Sequence, residues 1–176
     1  MSTAALVSLQ EYLTTTYRPD CDYVDGVLTE RNVGQKDHSK LQGAVLLWFY
    51  ARRQELRLTA FVEQRIRVST RRFRIPDVCV LNLPEPDEQI FTELPYICIE
   101  VLSPEDTFPR LQERFDDYLT MGVPNVWVLD PATRRGGRIT REGHLEALDG
   151  VLRTADDRVE IRRVEMRIAD LFASND

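Results

Sequence analysis

Residues 96–130 read YICIEVLSPEDTFPRLQERFDDYLTMGVPNVWVLD, and this stretch decides the fold. Its first seven residues, Tyr96 to Leu102, are apolar except for Glu100. A short apolar run of this kind is what a strand buried on both faces looks like. Residues 107–122 then read as a helix: Thr107 can cap it, Pro109 suits the first turn, and Gly122 followed by Pro124 ends it. Residues 125–130 (NVWVLD) are a second buried strand. Strand, helix and strand make a βαβ unit, so the two strands are expected to be parallel with a right-handed crossover.

Working upstream, residues 73–81 (FRIPDVCVL) read as a strand with Phe73, Ile75, Asp77, Cys79 and Leu81 on one face. Residues 61–69 read as another, with Val62, Gln64, Ile66 and Val68 on one face and Arg65 and Arg67 on the other. A loop rich in proline and acid, residues 82–95, leads into the Glu100 strand. Asp37 to Arg57 reads as a long helix with Leu41, Ala44, Val45, Trp48 and Phe49 on its apolar face and Asp37 as its cap. A short helix over 5–17 and a hairpin over 23–30, turning at Asp25-Gly26, open the chain. Residues 136–176 read as a hairpin around Gly143, a strand near Val159 to Ile161, and a last apolar segment, Ile168 to Phe172.

The composition bounds what such a chain does. With 176 residues, 43% hydrophobic and 30% charged, it is expected to form one domain over 1–176 with a real core. No apolar run approaches the ~18 residues of a membrane helix, and the first residues (MSTAALVSLQEYL) lack the features of a secretory signal. A net charge of -6 excludes a broad electrostatic grip on nucleic acid, but leaves room for a local basic patch or a bound divalent cation. Arg65, Arg67, Arg71, Arg72 and Arg74 read as the solvent face of a hairpin. Three cysteines without a CxxC, an HExxH or a Cys/His cluster argue against structural zinc. Cys79 and Cys98 read as reduced core residues, which points to a reducing compartment, the cytoplasm. There is no G-x-S-x-G, P-loop or dinucleotide fingerprint.

Two acids stand where acids are costly. Asp77 and Glu100 lie inside apolar runs, and an ionised carboxylate buried there costs several kcal/mol unless compensated. The compensation is an arginine, a raised pKa or a metal ion. If the two strands are neighbours, the acids converge and repel each other, and a divalent cation removes that repulsion. Oxygen ligands completed by water suit Mg²⁺ or Mn²⁺, which can activate water against a phosphodiester. The alternative is a pair of structural salt bridges, Asp77 with a nearby arginine and Glu100 with Arg114. Arg114 and Tyr118, four residues apart, share a helix face. Arg114 could stabilise negative charge on phosphate oxygens but cannot act as a base. Tyr118 is otherwise a core residue with its hydroxyl satisfied. Gln64 could bond a metal-bound water or a carboxylate, or be a plain buried amide. Asp22 and His38 flank the first hairpin, and either reaches the acid pair only if the following helix lies across it.

The ordered set Asp22-Tyr-Val-Asp-Gly26, His38, Pro76-Asp77-Val78, Glu100-Val-Leu-Ser-Pro104, Arg114-x-x-x-Tyr118, Gly122-Val-Pro124 and Trp127-Val-Leu-Asp130-Pro131 resembles the Uma-two family over about residues 10–175. The resemblance implies an endonuclease of the PD-(D/E)XK, restriction-endonuclease-like type. The resemblance implies an α/β (α+β) fold, a mixed β-sheet flanked by helices, with N-terminal helices and a C-terminal β-hairpin extension. It also implies Mg²⁺-dependent hydrolysis of DNA phosphodiester bonds, with Mn²⁺ as substitute, and a homodimer. Asp77 and Glu100 correspond to the acids of the two motifs, and the Val101 carbonyl joins the metal shell. The usual lysine would fall at Leu102. In this family it looks relocated to the next helix, where this chain has Arg114, which keeps the charge and loses the titratable nitrogen. Asp22 stands where the family usually has Glu, and His38 matches a site-lining histidine. The implied catalytic set is Asp77, Glu100 and Arg114, with Asp22, His38 and Tyr118 lining the cleft, and the strand reading adds Gln64 to that lining. The competing reading is a nuclease-like fold kept as a non-catalytic nucleic-acid- or protein-binding module, which the Lys-to-Arg change and the acidic surface motivate.

Overall fold

The computed structural model describes residues 6–32, 34–148, 151–154 and 165–167. In chain order its elements are α1 (Leu9–Thr14), β1 (Cys21–Val24), β2 (Val27–Glu30), α2 (Lys36–Ala51), α3 (Arg53–Leu56), β3 (Leu58–Val62), β4 (Ile66–Ser69), β5 (Arg72–Arg74), β6 (Val78–Asn82), β7 (Ile97–Val101), α4 (Phe108–Met121), β8 (Asn125–Asp130), β9 (Arg135–Ile139), β10 (Leu145–Leu148), β11 (Val151–Arg153) and β12 (Glu165–Arg167).

The βαβ unit is present as expected: β7 and β8 pair in parallel and α4 connects them. Pro109 lies in the first turn of α4, and Gly122 ends the helix at φ 99, a left-handed conformation that glycine adopts without a Cβ penalty. Around this unit grows a six-stranded sheet of order β10-β9-β8-β7-β6-β3, antiparallel at every other pairing. The sheet is therefore mixed, and it is covered on both faces. Strand periodicity sorts the side chains. Val78, Val80, Ile97, Ile99, Val101, Trp127 and Leu129 pack with Leu41, Val45 and Phe49 of α2. Cys79, Leu81, Cys98, Val126 and Val128 pack with Phe115 and Tyr118 of α4. Each large apolar side chain buried this way contributes roughly 1.5–3 kcal/mol.

A second, antiparallel sheet has the order β2-β1-β5-β4. Its β1–β2 hairpin turns at Asp25 and Gly26, both at positive φ, as a tight two-residue turn requires. Tyr12 of α1, Tyr23 and Phe73 form a separate core beneath it, with the Tyr12 and Tyr23 rings stacked 4.8 Å apart.

Two expected strands prove to be four. The 61–69 run breaks after Val62, where Glu63 adopts φ 50, and resumes at Ile66 in the other sheet. The 73–81 run breaks between Arg74 and Val78, where Pro76 offers no N–H for a ladder. Each run thus crosses from one sheet to the other, and the shared faces drawn through them do not hold. Gln64 lies in the connection between sheets rather than on a strand face. Asp77 sits just before β6 rather than within a strand.

Other boundaries move less. α1 is shorter than 5–17 and is capped by Ser8, whose Oγ accepts from the Glu11 N–H at 3.1 Å. The long helix divides into α2 and α3, and Gln35 rather than Asp37 holds the cap position, without a side-chain cap bond. The arginine hairpin exists as β4–β5, but Arg74 is buried, because its guanidinium is drawn in by three carboxylates. The hairpin around Gly143 is β9–β10, and β11 pairs with β12. The strand expected near 159–161 and the segment 168–172 lie outside the described residues. All three cysteines are free and buried. Among the described residues no helix is long and apolar enough to cross a membrane.

Candidate active site

The register of β6 against β7 brings the two acids together. Val78 faces Ile99, Cys79 faces Cys98 and Val80 faces Ile97, so one further step places Asp77 opposite Glu100. Asp77 is 4% exposed and Glu100 1%. The last rung is made by a side chain: Asp77 Oδ2 accepts the Val101 N–H at 2.7 Å. The Asp77 carbonyl accepts from Gln42 Nε2 of α2, at 2.9 Å.

Each carboxylate meets cations and donors from several elements. Arg114, on α4, donates to Glu100 Oε2 at 2.6 Å and, through its other arm, to Asp106 Oδ1 at 3.0 Å. Tyr118, one turn on, donates to Glu100 Oε1 at 2.6 Å. His38, in the first turn of α2, places Nε2 3.4 Å from Asp77 Oδ2. Arg31, immediately after β2, reaches both acids: Nη2 lies 2.5 Å from Asp77 Oδ1, and Nη1 lies 3.5 Å from Glu100 Oε2. Its side chain is 13% exposed.

The electrostatics follow from this packing. Burial pushes the Glu100 carboxyl above its ordinary range, against the pull of Arg114 and Arg31 and with help from the Asp77 charge. At Asp77 burial acts in the same direction, but Arg31, the His38 hydrogen bond and the Val101 N–H outweigh it, so that carboxyl lies below its ordinary range. Two acids competing for one shared cation split in this way, with Asp77 the firmly ionised member. The hydrogen bond to Asp77 raises the His38 imidazole, against burial. Burial would lower Arg31, but Glu100 and Asp77 hold it charged.

Asp22, Arg31, His38, Asp77, Val101 and Arg114 line a cleft of about 40 Å³. That is room for a few water molecules, since one needs ~10–15 Å³. Its mouth is fixed by side chains: Asn32 Nδ2 donates to Ser103 Oγ at 3.0 Å and Asp106 Oδ1 at 3.2 Å, and Gln35 Nε2 donates to Glu105 Oε1 at 2.9 Å.

Of the residues singled out from sequence, Asp77, Glu100, Val101, Arg114, Tyr118 and His38 converge here. Glu100 and Tyr118 sit behind the cleft wall. Asp22 lines the cleft, but its oxygens are committed to Arg74 Nη1 at 3.1 Å and the Ile75 N–H at 3.0 Å. Gln64 is not part of the site: its amide donates to the carbonyls of Arg65 and Gln89. Both expected salt bridges are present, Glu100 with Arg114 and Asp77 with an arginine, yet the acids also converge. Sequence reasoning missed Arg31. The available signal was a deficit, since two buried acids had only one named arginine between them. Nothing local shows that a residue after a hairpin spans the 46 positions to Asp77.

The fit of a divalent cation rests on donor chemistry. Among the described residues no group of three or more His, Cys, Asp and Glu stands ready to hold an ion. The acid pair presents hard oxygens, and the two that face each other, Asp77 Oδ1 and Glu100 Oε2, are bridged by a stand-in cation, the Arg31 guanidinium. Asp77 Oδ1 suits a small hard ion once Arg31 yields it, whereas Glu100 Oε2 also carries Arg114 Nη1 at 2.6 Å.

Comparison with known proteins agrees on the fold. A family model described as "Uma2: Putative restriction endonuclease" matches residues 9–160. No curated protein matches the chain. Among solved structures, a crystal structure described as a putative nuclease belonging to DUF820, from Anabaena variabilis, is similar at 20% identity and a TM-score of 0.76, over 95% of this chain and 98% of that one. At that identity the likeness concerns the fold.

Proposed function

Because the chain belongs to the family described as "Uma2: Putative restriction endonuclease", we propose that it is a metal-dependent endonuclease that hydrolyses DNA phosphodiester bonds at the Asp77–Glu100 pair. The observation that carries this reading is the pair itself: two buried carboxylates, Glu100 in β7 and Asp77 just before the neighbouring β6, with the Arg31 guanidinium beside an oxygen of each. Asp77, Glu100 and the Val101 carbonyl would hold Mg²⁺, with Mn²⁺ as substitute. When bound, the ion supplies charge against the phosphate oxygens and makes water more acidic.

The protein's own residues prepare the place. Arg114 has both arms committed, to Glu100 and to Asp106, so it acts here as a positioning residue that fixes Glu100 rather than as a free phosphate ligand. It stays protonated at working pH and so cannot serve as the base. Tyr118 fixes the other Glu100 oxygen. His38 can hold a proton at Nε2, beside Asp77. DNA is the partner this reading requires. A homodimer would show as doubled mass in light scattering, and the buried free cysteines suit a reducing compartment such as the cytoplasm.

The test is cleavage of plasmid DNA with Mg²⁺. Asp77→Ala and Glu100→Ala each lose activity by about 100-fold or more, on the scale of removing a principal electrostatic group. Cleavage that persists in both variants, or in excess chelator, overturns the reading. One observation favours a second reading, a non-catalytic binding module: every oxygen of the acid pair already has a donor or cation beside it. DNA binding without any Mn²⁺ heat in calorimetry would select that alternative.

A further inference from the structure

The two arginines at the acid pair are held differently. Arg114 projects from the 14-residue helix α4 and divides its guanidinium between Glu100 and Asp106. Arg31 lies outside any helix or strand, and among the described residues its guanidinium pairs with the two acids alone. Its backbone is anchored, since its N–H donates to the Asp20 carbonyl at 2.8 Å. Neighbouring Asn32 and Gln35 are tied across the cleft mouth to the 103–106 segment. Withdrawal of Arg31 is therefore a side-chain rotation that breaks two ion pairs and leaves the backbone in place.

We infer that Arg31 is a built-in competitor for the metal position: its guanidinium occupies Asp77 Oδ1 and Glu100 Oε2, and a divalent cation binds by displacing it. The inference rests on the metal-dependent reading above and deepens it. The charge arithmetic supports an exchange. Two buried carboxylates facing each other repel when both are ionised, and Arg31 offsets that repulsion when no ion is bound. Glu100 keeps Arg114 and Tyr118, and Asp77 keeps the Val101 N–H and His38, so neither acid is stripped bare when Arg31 leaves. A doubly charged ion then restores and exceeds the lost compensation. The metal affinity of the wild-type protein is correspondingly reduced by the strength of the Arg31 contacts, because binding has to break them first.

The experiment is Mn²⁺ titration by calorimetry on the full chain, together with melting temperatures with and without Mn²⁺, for wild type, Arg31→Gln, Arg31→Lys and Asp77→Ala. Arg31→Gln is expected to bind Mn²⁺ about tenfold tighter than wild type and to gain more melting temperature from Mn²⁺. Arg31→Lys keeps one charge but cannot span both oxygens, so it falls between the two. Asp77→Ala binds weakly or not at all. If Arg31→Gln is too unstable to titrate, Arg31→Lys alone decides: affinity above wild type supports displacement, and affinity equal to or below wild type overturns it. If wild type and both Arg31 variants bind Mn²⁺ equally while Asp77→Ala does not, the competitor role is overturned and the metal-dependent reading survives. If none of the four proteins binds Mn²⁺, both fall together.

Discussion

Among the described residues, two clusters of arginines and acids are built in opposite senses. In the first, Arg74 is 2% exposed and stands at the centre, with Asp22 of β1 and Glu113 and Asp117 of α4 converging on it. Arg72 adds Asp25, Glu113 and Asp117 from the rim. In the second, the carboxylates stand at the centre, and Arg31, Arg114 and His38 converge on them from three separate segments. A guanidinium enclosed by acids ties the small sheet to α4 and has nothing to exchange. Acids enclosed by cations form a place where one cation can replace another. Similar chemistry, inverted, separates a fastening from a candidate site.

The sharpest way to break this comparison is to remove the central member of the fastening. Arg74→Met leaves Asp22 buried without its guanidinium, and urea unfolding should show a loss of about 3–5 kcal/mol. Tyr118→Phe comes next. It removes the hydroxyl from Glu100 Oε1, a bond to a buried charged group, and costs about 1.5–3 kcal/mol in the same measurement. Arg31→Gln in the absence of metal should cost less, about 1–2 kcal/mol, because both acids keep other partners. An Arg31 cost equal to that of Arg74 would erase the distinction between the clusters.

The smallest effect is a pH dependence. His38 titrates above its ordinary 6.5 in the folded protein, chiefly through its hydrogen bond to Asp77. A raised folded pKa gives stability that is fully present below about 6.5 and is lost as pH rises through the folded value. Unfolding at pH 6 and pH 8 should therefore show wild type losing more stability than His38→Gln across that interval. An identical change in both proteins would mean that the imidazole is not coupled to Asp77.

Much of the frame was legible because it is local. The run YICIEVL, the signals that bound α4 and the strand NVWVLD specify a parallel pair within 35 residues, and the i, i+4 spacing puts Arg114 and Tyr118 on Glu100. The convergence of Asp77 with Glu100 was legible as a possibility, and the family resemblance supplied its meaning. What escaped depends on where the chain changes sheet. Strand periodicity is the same on both sides of Glu63 and of Pro76, so two sheet crossings read as two continuous strands. That error carried Gln64 to the wrong place. Arg31 and the burial of Arg74 escaped for a related reason: side-chain pairs between distant segments leave no periodic trace.

The bond from the Val101 N–H to Asp77 has a consequence for the choice of ion. That amide ties one carboxylate oxygen into the sheet, where it stands in for a backbone carbonyl, and only its twin is at liberty to change partners. Should an ion enter, Asp77 would offer it chiefly the oxygen that Val101 leaves free, with Glu100 and the Val101 carbonyl beside it and solvent or substrate completing the shell. Such a sphere favours a small octahedral ion that keeps its hydration over a larger one, such as Ca²⁺, which commonly takes two-toothed carboxylates.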